Sequence, residues 1–137
     1  MVDWPTNRIT GEIVDAAYKV HTRLGPGLLE RAYELFLAAE LRARGLDVKT
    51  QVPIPLELDD IRLDVAFRAD LIVENRVLVE LKSTAVTHPS AKRQTLTYLR
   101  FGGFRVGLLL NFGMAKMVDG THRFVRNYDG PLPREDP

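Results

Sequence analysis

The feature that most constrains the fold lies between Asp70 and Lys82, where the apolar runs Leu71-Ile72-Val73 and Val77-Leu78-Val79 are separated by the polar triplet Glu74-Asn75-Arg76. Short apolar runs joined by so brief a polar connection fold back as a β-hairpin. With symmetric pairing across a three-residue loop, Val73 stands opposite Val77, and the same register sets Asp70 opposite Glu80. Directly opposed residues hold their Cβ atoms roughly 4.5 to 5.5 Å apart, and like charges at that spacing are destabilising unless something compensates. A bound cation is the natural compensator, because hard divalent ions take oxygen ligands, often one or two carboxylates completed by waters and phosphate. Side chains alternate along a strand, so Glu80 and Lys82 share a side while Leu81 turns the other way, into the core. One face then offers an aspartate, a glutamate and a lysine. That set suits phosphodiester hydrolysis: a cation polarises the phosphoryl oxygen and acidifies a water, and the lysine orients that water or stabilises developing charge.

Glu-x-Lys is a common tripeptide, and alone it describes a solvated strand end. Its surroundings narrow the choice. Upstream, Ile13, Ala17, Val20 and Leu24 recur at helical spacing, which predicts a helix from about Thr10, as N-cap, to Leu24, stopped by Gly25. After Gly25-Pro26-Gly27, the residues Leu29, Ala32, Phe36, Ala39 and Ala43 repeat the pattern as far as Gly45, predicting a second helix with those residues inward. Alternation over Val48 to Leu58, the turn residues Asp59-Asp60 and alternation over Leu63 to Phe67 predict two paired strands, the second of which can run on into the hairpin's first arm. Beyond the hairpin, Pro89 to Phe101 reads as a helix with Leu96 and Leu99 inward and Gly102-Gly103 at its end. Arg105 to Asn111 is a buried strand, and Met114 to Tyr128 holds one or two edge strands around Asp119-Gly120. The order α-α-β-β-β-β-α-β describes an α+β fold, a mixed sheet with helices packed against it. The expected organisation is a single domain over residues 1–128 and a proline-rich flexible tail over 129–137.

Composition removes several kinds of chemistry. The 137 residues include no cysteine, which excludes disulfides, thiolate metal sites and cysteine catalysis. His21, His88 and His122 stand at no common ligand spacing, so a histidine zinc site is not expected. No apolar run approaches the roughly 20 residues of a membrane span and the first residues lack the pattern of a signal peptide, so a cytoplasmic location without membrane contact is expected. With 19 basic and 18 acidic residues the net charge is +1, so no global field draws the chain to phosphate. Lys92-Arg93 and Arg123-Arg126 are local basic pairs of the kind a solvated face carries.

Asp70 followed by Glu80-Leu81-Lys82 resembles the signature of the PD-(D/E)XK nucleases, with Ala69 where the name-giving proline stands. Gly27-Leu28-Leu29-Glu30-Arg31-Ala32-Tyr33 looks like the motif of the GxxExxY family, a group of small proteins assigned to that superfamily. Val20-His21, Leu24-Gly25-Pro26-Gly27, the run from Gln94 through Tyr98-Leu99, and Gly107 to Gly113 fit the same pattern, so the likeness covers about Ile9 to Gly113. The resemblance implies a restriction-endonuclease-like core, a mixed β-sheet flanked by α-helices. It also implies Asp70 and Glu80 as ligands of Mg2+ or Mn2+, the Leu81 carbonyl as a third ligand, Lys82 as the catalytic lysine and Glu30 as an accessory carboxylate.

The remaining candidates carry two readings each. Glu30 and Tyr33 share a helix face, either as a first-turn glutamate beside a packed tyrosine or as part of the site. Gln94 and Tyr98, at i and i+4, either bond each other on the surface or reach a phosphate or a metal's water, the reading favoured for Gln94. His88 has a structural reason as the residue before Pro89 and is a weak accessory candidate, while His21 is expected to pack or bond where the first two helices meet. Trp4 is expected to dock the amino-terminal segment onto the body. The expected function is hydrolysis of nucleic acid, DNA foremost, with specificity supplied by a homodimer or a partner protein. The alternative is a noncatalytic nucleic-acid-binding or protein-interaction module that keeps the nuclease fold.

Overall fold

A computed structural model describes residues 1–126. The elements are α1 (Thr6–Leu24), α2 (Glu30–Ala43), β1 (Val48–Leu58), β2 (Ile61–Val73), β3 (Val77–Lys82), α3 (Pro89–Gly102), β4 (Val106–Asn111), a 3-10 turn (Met117–Gly120) and β5 (Thr121–Val125). The five strands form one sheet in chain order. β3 and β4 are parallel, joined by the α3 crossover, and the other neighbours are antiparallel. This is the mixed α+β sheet with flanking helices that the sequence predicts.

Two cores sandwich the sheet. On one face α1 and α2 cover Leu71, Val73, Val77, Val79, Leu81, Leu108, Leu110 and Phe112. On the other, α3 covers Ile54, Ala69, Ile72 and Leu78 through Leu99, with Phe104 beside it. β3 and β4 lie in the middle and are apolar on both faces, as parallel strands must be when helices cover both sides.

Several sequence expectations need correction. α1 begins at Thr6, and the residue before it is Pro5, whose carbonyl accepts the Arg8 and Ile9 N–H groups. Thr10 is therefore not the N-cap: it is buried inside the helix and its hydroxyl donates to the Asn7 carbonyl. Gly25, with φ +70, ends α1 as expected. α2 carries two apolar stripes, and the structure buries the one the sequence reading passed over. Tyr33, Leu37, Ala38 and Leu41 face the core, whereas Leu29 and Phe36 are exposed. The two stripes differ by one residue, about 100° around the helix. Tyr33 decides between them, because its ring stacks on Phe112 at 4.5 Å while its hydroxyl donates to the Gly25 carbonyl and accepts the Leu28 N–H.

The strands over Leu63–Phe67 and Asp70–Val73 are one continuous β2, since Val52↔Ala69 and Pro53↔Arg68 pair straight through the join. The element order is therefore α-α-β-β-β-α-β-β. In α3, Leu99 is buried but Leu96 is exposed and Thr95 takes the inward position. Gly107 of β4 explains why Leu99 wins: a Cβ there would sit 2.6 Å from the Leu99 side chain, so α3 seats Leu99 on a bare backbone. The closing region gives one strand, β5, preceded by the 3-10 turn. Trp4 packs half-buried against the core with the Arg8 guanidinium 3.8 Å above its ring. Tyr128, the boundary at residue 128 and the expected tail lie outside the described residues. Among the described residues no helix is long and apolar enough to cross a membrane.

The close contact at Gly107 makes a paired test. Gly107→Ala is expected to lower the unfolding free energy by about 1–3 kcal/mol through overpacking against Leu99 and the Leu78 carbonyl. Gly11→Ala, in α1 with nothing within 4 Å, is expected to raise it by roughly 0.5–1 kcal/mol. Urea denaturation followed by circular dichroism measures both, and equal effects of the two changes would contradict the packing described.

Candidate active site

The β2–β3 hairpin has the predicted register: Val73↔Val77, Ile72↔Leu78 and Leu71↔Val79 pair across a turn in which Glu74 and Asn75 adopt φ +55 and +57. One step further, Asp70 and Glu80 face each other, and each carboxylate accepts a backbone N–H from the opposite strand. Glu80 Oε1 accepts the Asp70 N–H at 3.3 Å, and Asp70 Oδ2 accepts the Leu81 N–H at 2.8 Å. Glu80 is 5% exposed, among the few buried carboxylates of the described chain. Its pKa is pushed up from 4.5 to about 8, first by burial and then by the Asp70 charge, with nearby Lys82 pulling the other way. A buried carboxylate held against a second carboxylate is the arrangement a divalent cation relieves.

Asp70 and Leu81 line an open cleft of about 540 Å³ together with Glu30, Arg31, Glu34 and Gln51. Among the described residues no three His, Asp or Glu side chains form a metal cluster. A cation at Asp70 and Glu80 would therefore complete its shell with the Leu81 carbonyl, waters and phosphate, a donor set made of oxygen that fits a hard ion.

Lys82 ends β3 and lines a second cavity, about 290 Å³, with Thr84, Thr87, His88, Ser90, Ala91 and Gln94. The loop between Lys82 and α3 is fixed from β4. Asn111, fully buried, accepts the Thr84 and Gly113 N–H groups and donates to the Thr84 and Thr87 hydroxyls. Phe112 N–H donates to the Lys82 carbonyl at 2.8 Å. A Cβ on Gly113 would lie 2.3 Å from the Thr84 carbonyl oxygen, so the close approach of these two loops requires glycine.

The chain is matched by the family model of the PD-(D/E)XK nuclease superfamily over residues 7–124, most of its length. It belongs to that superfamily. No curated protein and no solved structure matches it. Nucleases of this superfamily typically use divalent metals.

Around Asp70, Glu80 and Lys82 the other predicted residues fall into two groups. Glu30, in the first turn of α2, lines the carboxylate cleft; Gln94 and His88 line the Lys82 cavity. Tyr98 stacks face to face on Phe67 at 3.8 Å, and its pKa is raised by burial and then by the Glu80 and Asp70 charges. Tyr33 is not brought to them, its hydroxyl being committed to the Gly25–Leu28 turn. His21 donates through Nε2 to the Met114 carbonyl, a packing role tied to the segment after β4 rather than to the helix junction. His122 is half-buried on β5, where burial and Lys92 lower its pKa. Sequence reasoning missed Glu34 and Gln51. The signal for Glu34 was present, one helical turn after Glu30 on the same face; for Gln51 there was none, because a glutamine in a strand advertises nothing.

The raised pKa of Glu80 fixes a pH dependence. The folded, cation-free protein keeps a proton on Glu80 that the unfolded chain loses near 4.5, so stability falls as pH rises from 4.5 through about 8. Glu80→Gln removes this penalty. In EDTA, its thermal midpoint is expected to gain on wild type steadily between pH 5 and 8.5, and added Mn2+ to narrow the gap; melting curves that stay parallel across that range would contradict the burial of this charge.

Proposed function

We propose that this protein is a metal-dependent nuclease that hydrolyses phosphodiester bonds of nucleic acid, DNA foremost, with Asp70, Glu80 and Lys82 as its catalytic core. The observation that carries the reading is the pair of hydrogen bonds that holds the two carboxylates together across the hairpin, Asp70 N–H to Glu80 and Leu81 N–H to Asp70, with Asp70 at the wall of an open cleft and Lys82 following Glu80 on the same strand face. Asp70, Glu80 and the Leu81 carbonyl would hold Mg2+ or Mn2+. Bound there, the ion supplies a Lewis acid for the phosphoryl oxygen and lowers the pKa of a water. Lys82 orients the attacking water and offsets the negative charge that develops on the phosphoryl group. Gln94 and Tyr98, projecting from α3, hold the water or a phosphate oxygen in line, and His88 stands as an accessory beside Lys82. Glu30 adds carboxylate charge on the α2 side. The likeness of Gly27 to Tyr33 to the GxxExxY motif supports the same reading, in the cytoplasm.

We place specificity in a homodimer or a partner protein; light scattering of a strict monomer would remove the dimer. The net charge of +1 favours a second reading, a noncatalytic interaction module. Cleavage of labelled single- and double-stranded DNA and RNA separates the two. Wild type is expected to cut with Mg2+ or Mn2+ and not in EDTA, while Asp70→Ala and Lys82→Ala each lose on the order of 10²–10³-fold in rate, the usual cost of removing an electrostatic catalytic group. Wild type that neither cuts any of the four substrates nor binds Mn2+ decides for the module.

A further inference from the structure

Gln51 stands where β1 departs from ordinary strand geometry. Pairing passes from Thr50↔Leu71 to Val52↔Ala69, so Gln51 faces Asp70 across the two strands, and its φ is +50. That left-handed conformation is costly for a residue with a Cβ and belongs to glycine, asparagine or aspartate. Such strain collects where a side chain must be aimed. Here the side chain is aimed at the carboxylate cleft. Its Nε2 donates to Glu34 Oε1 on α2 and, at 3.3 Å, to Asp70 Oδ1. The other Asp70 oxygen accepts the Leu81 N–H at 2.8 Å. Asp70 is thus gripped at both oxygens, from β3 by a backbone donor and from β1 by the Gln51 amide, and that amide is itself anchored on Glu34.

We infer that Gln51 is a positioning residue, which sets the orientation of the Asp70 carboxylate for a divalent cation and is held in place by Glu34 acting as hydrogen-bond acceptor. The inference rests on the metal-dependent reading above. A freely rotating aspartate must be ordered when the ion binds, whereas a clamped one has met that cost on folding. Groups that orient metal ligands are worth about 10–100-fold in affinity or activity when removed. Glutamine suits the task because its amide reaches from β1 to both carboxylates without adding a third negative charge between them.

Mn2+ binding, measured directly by electron paramagnetic resonance on the full chain, tests this together with thermal melting. Gln51→Gly relieves the strained φ, so it is expected to fold with a melting temperature equal to or above wild type, yet to bind Mn2+ roughly 10- to 100-fold more weakly. Glu34→Ala is expected to weaken binding in the same direction. Glu34→Gln keeps an acceptor oxygen for the Gln51 amide and is expected to stay close to wild type. Asp70→Ala is the reference for a lost ligand. Wild-type affinity in Gln51→Gly, beside loss in Asp70→Ala, overturns the positioning role and leaves the metal site standing. Loss in Glu34→Gln as deep as in Glu34→Ala makes Glu34 a ligand and overturns the anchor. Wild type that binds no Mn2+ overturns the metal reading and this inference with it.

Discussion

The register of β2 against β3 is the constraint from which the site follows. Strand side chains alternate with a period of two, so a slip of one residue would turn Glu80 and Lys82 toward α1 and α2 and bring the Leu81 side chain round to the α3 face. The turn holds the register by unusual means. Two successive residues, Glu74 and Asn75, take positive φ, and the Glu74 carboxylate, 2% exposed, accepts the N–H groups of Val2 and Asp47. The turn is therefore tied to the segment before α1 and to the start of β1, and it cannot slide without breaking both. Burial of Leu71, Val73, Val77, Val79 and Leu81 under α1 and α2 supplies the stabilisation that fixes the same register from the other direction.

The second half of the fold presents what the hairpin arranges. β3 and β4 can be parallel only because α3 carries the chain across the sheet, and the crossover sets the amino end of α3 beside Lys82. Asn111 joins these parts: a single buried amide satisfies the loop after Lys82 and the turn after β4 with four hydrogen bonds. A buried polar group that is fully satisfied in this way specifies one arrangement, since every alternative leaves a donor or acceptor unpaired. Rigidity around Lys82 thus comes from β4, and rigidity around Asp70 and Glu80 comes from the hairpin.

How much of this the sequence shows depends on the range of the interaction. Asp70 and Glu80 were legible because a short loop fixes their pairing locally, and β4 was legible because a continuous apolar run admits few other fates. The buried face of α2 was not. Its two apolar stripes are nearly equal in hydrophobic content, and the choice between them depends on Phe112, far along the chain, and on the turn that the Tyr33 hydroxyl closes. The continuity of β2 was legible in part, since the second strand could run on from Phe67 into the hairpin, but Arg68 and Ala69 carry no strand signal of their own, and pairing with Val52 and Pro53 overrides their weak preference. Glu34 and Gln51 lay hidden for a related reason: their meaning arises only when α2, β1 and β2 converge, and no local pattern encodes a meeting of three elements.

Charge gives the arrangement its remaining logic. Glu30, Glu34 and Asp70 line the cleft, Glu80 is buried against Asp70, and Arg31 and Lys82 are the cationic groups along these two cavities' walls. A phosphodiester brought to such a wall meets repulsion, and the near-neutral chain has no wider field to overcome it. A divalent cation held there would change the sign of the local potential and at the same time let Glu80 ionise, so its binding and the binding of a polyanion would favour each other. By linkage each then tightens the other equally. On the proposed reading, attraction for phosphate is confined to the place where the carboxylates would hold a cation, and the register that opposes Asp70 to Glu80 sets that place.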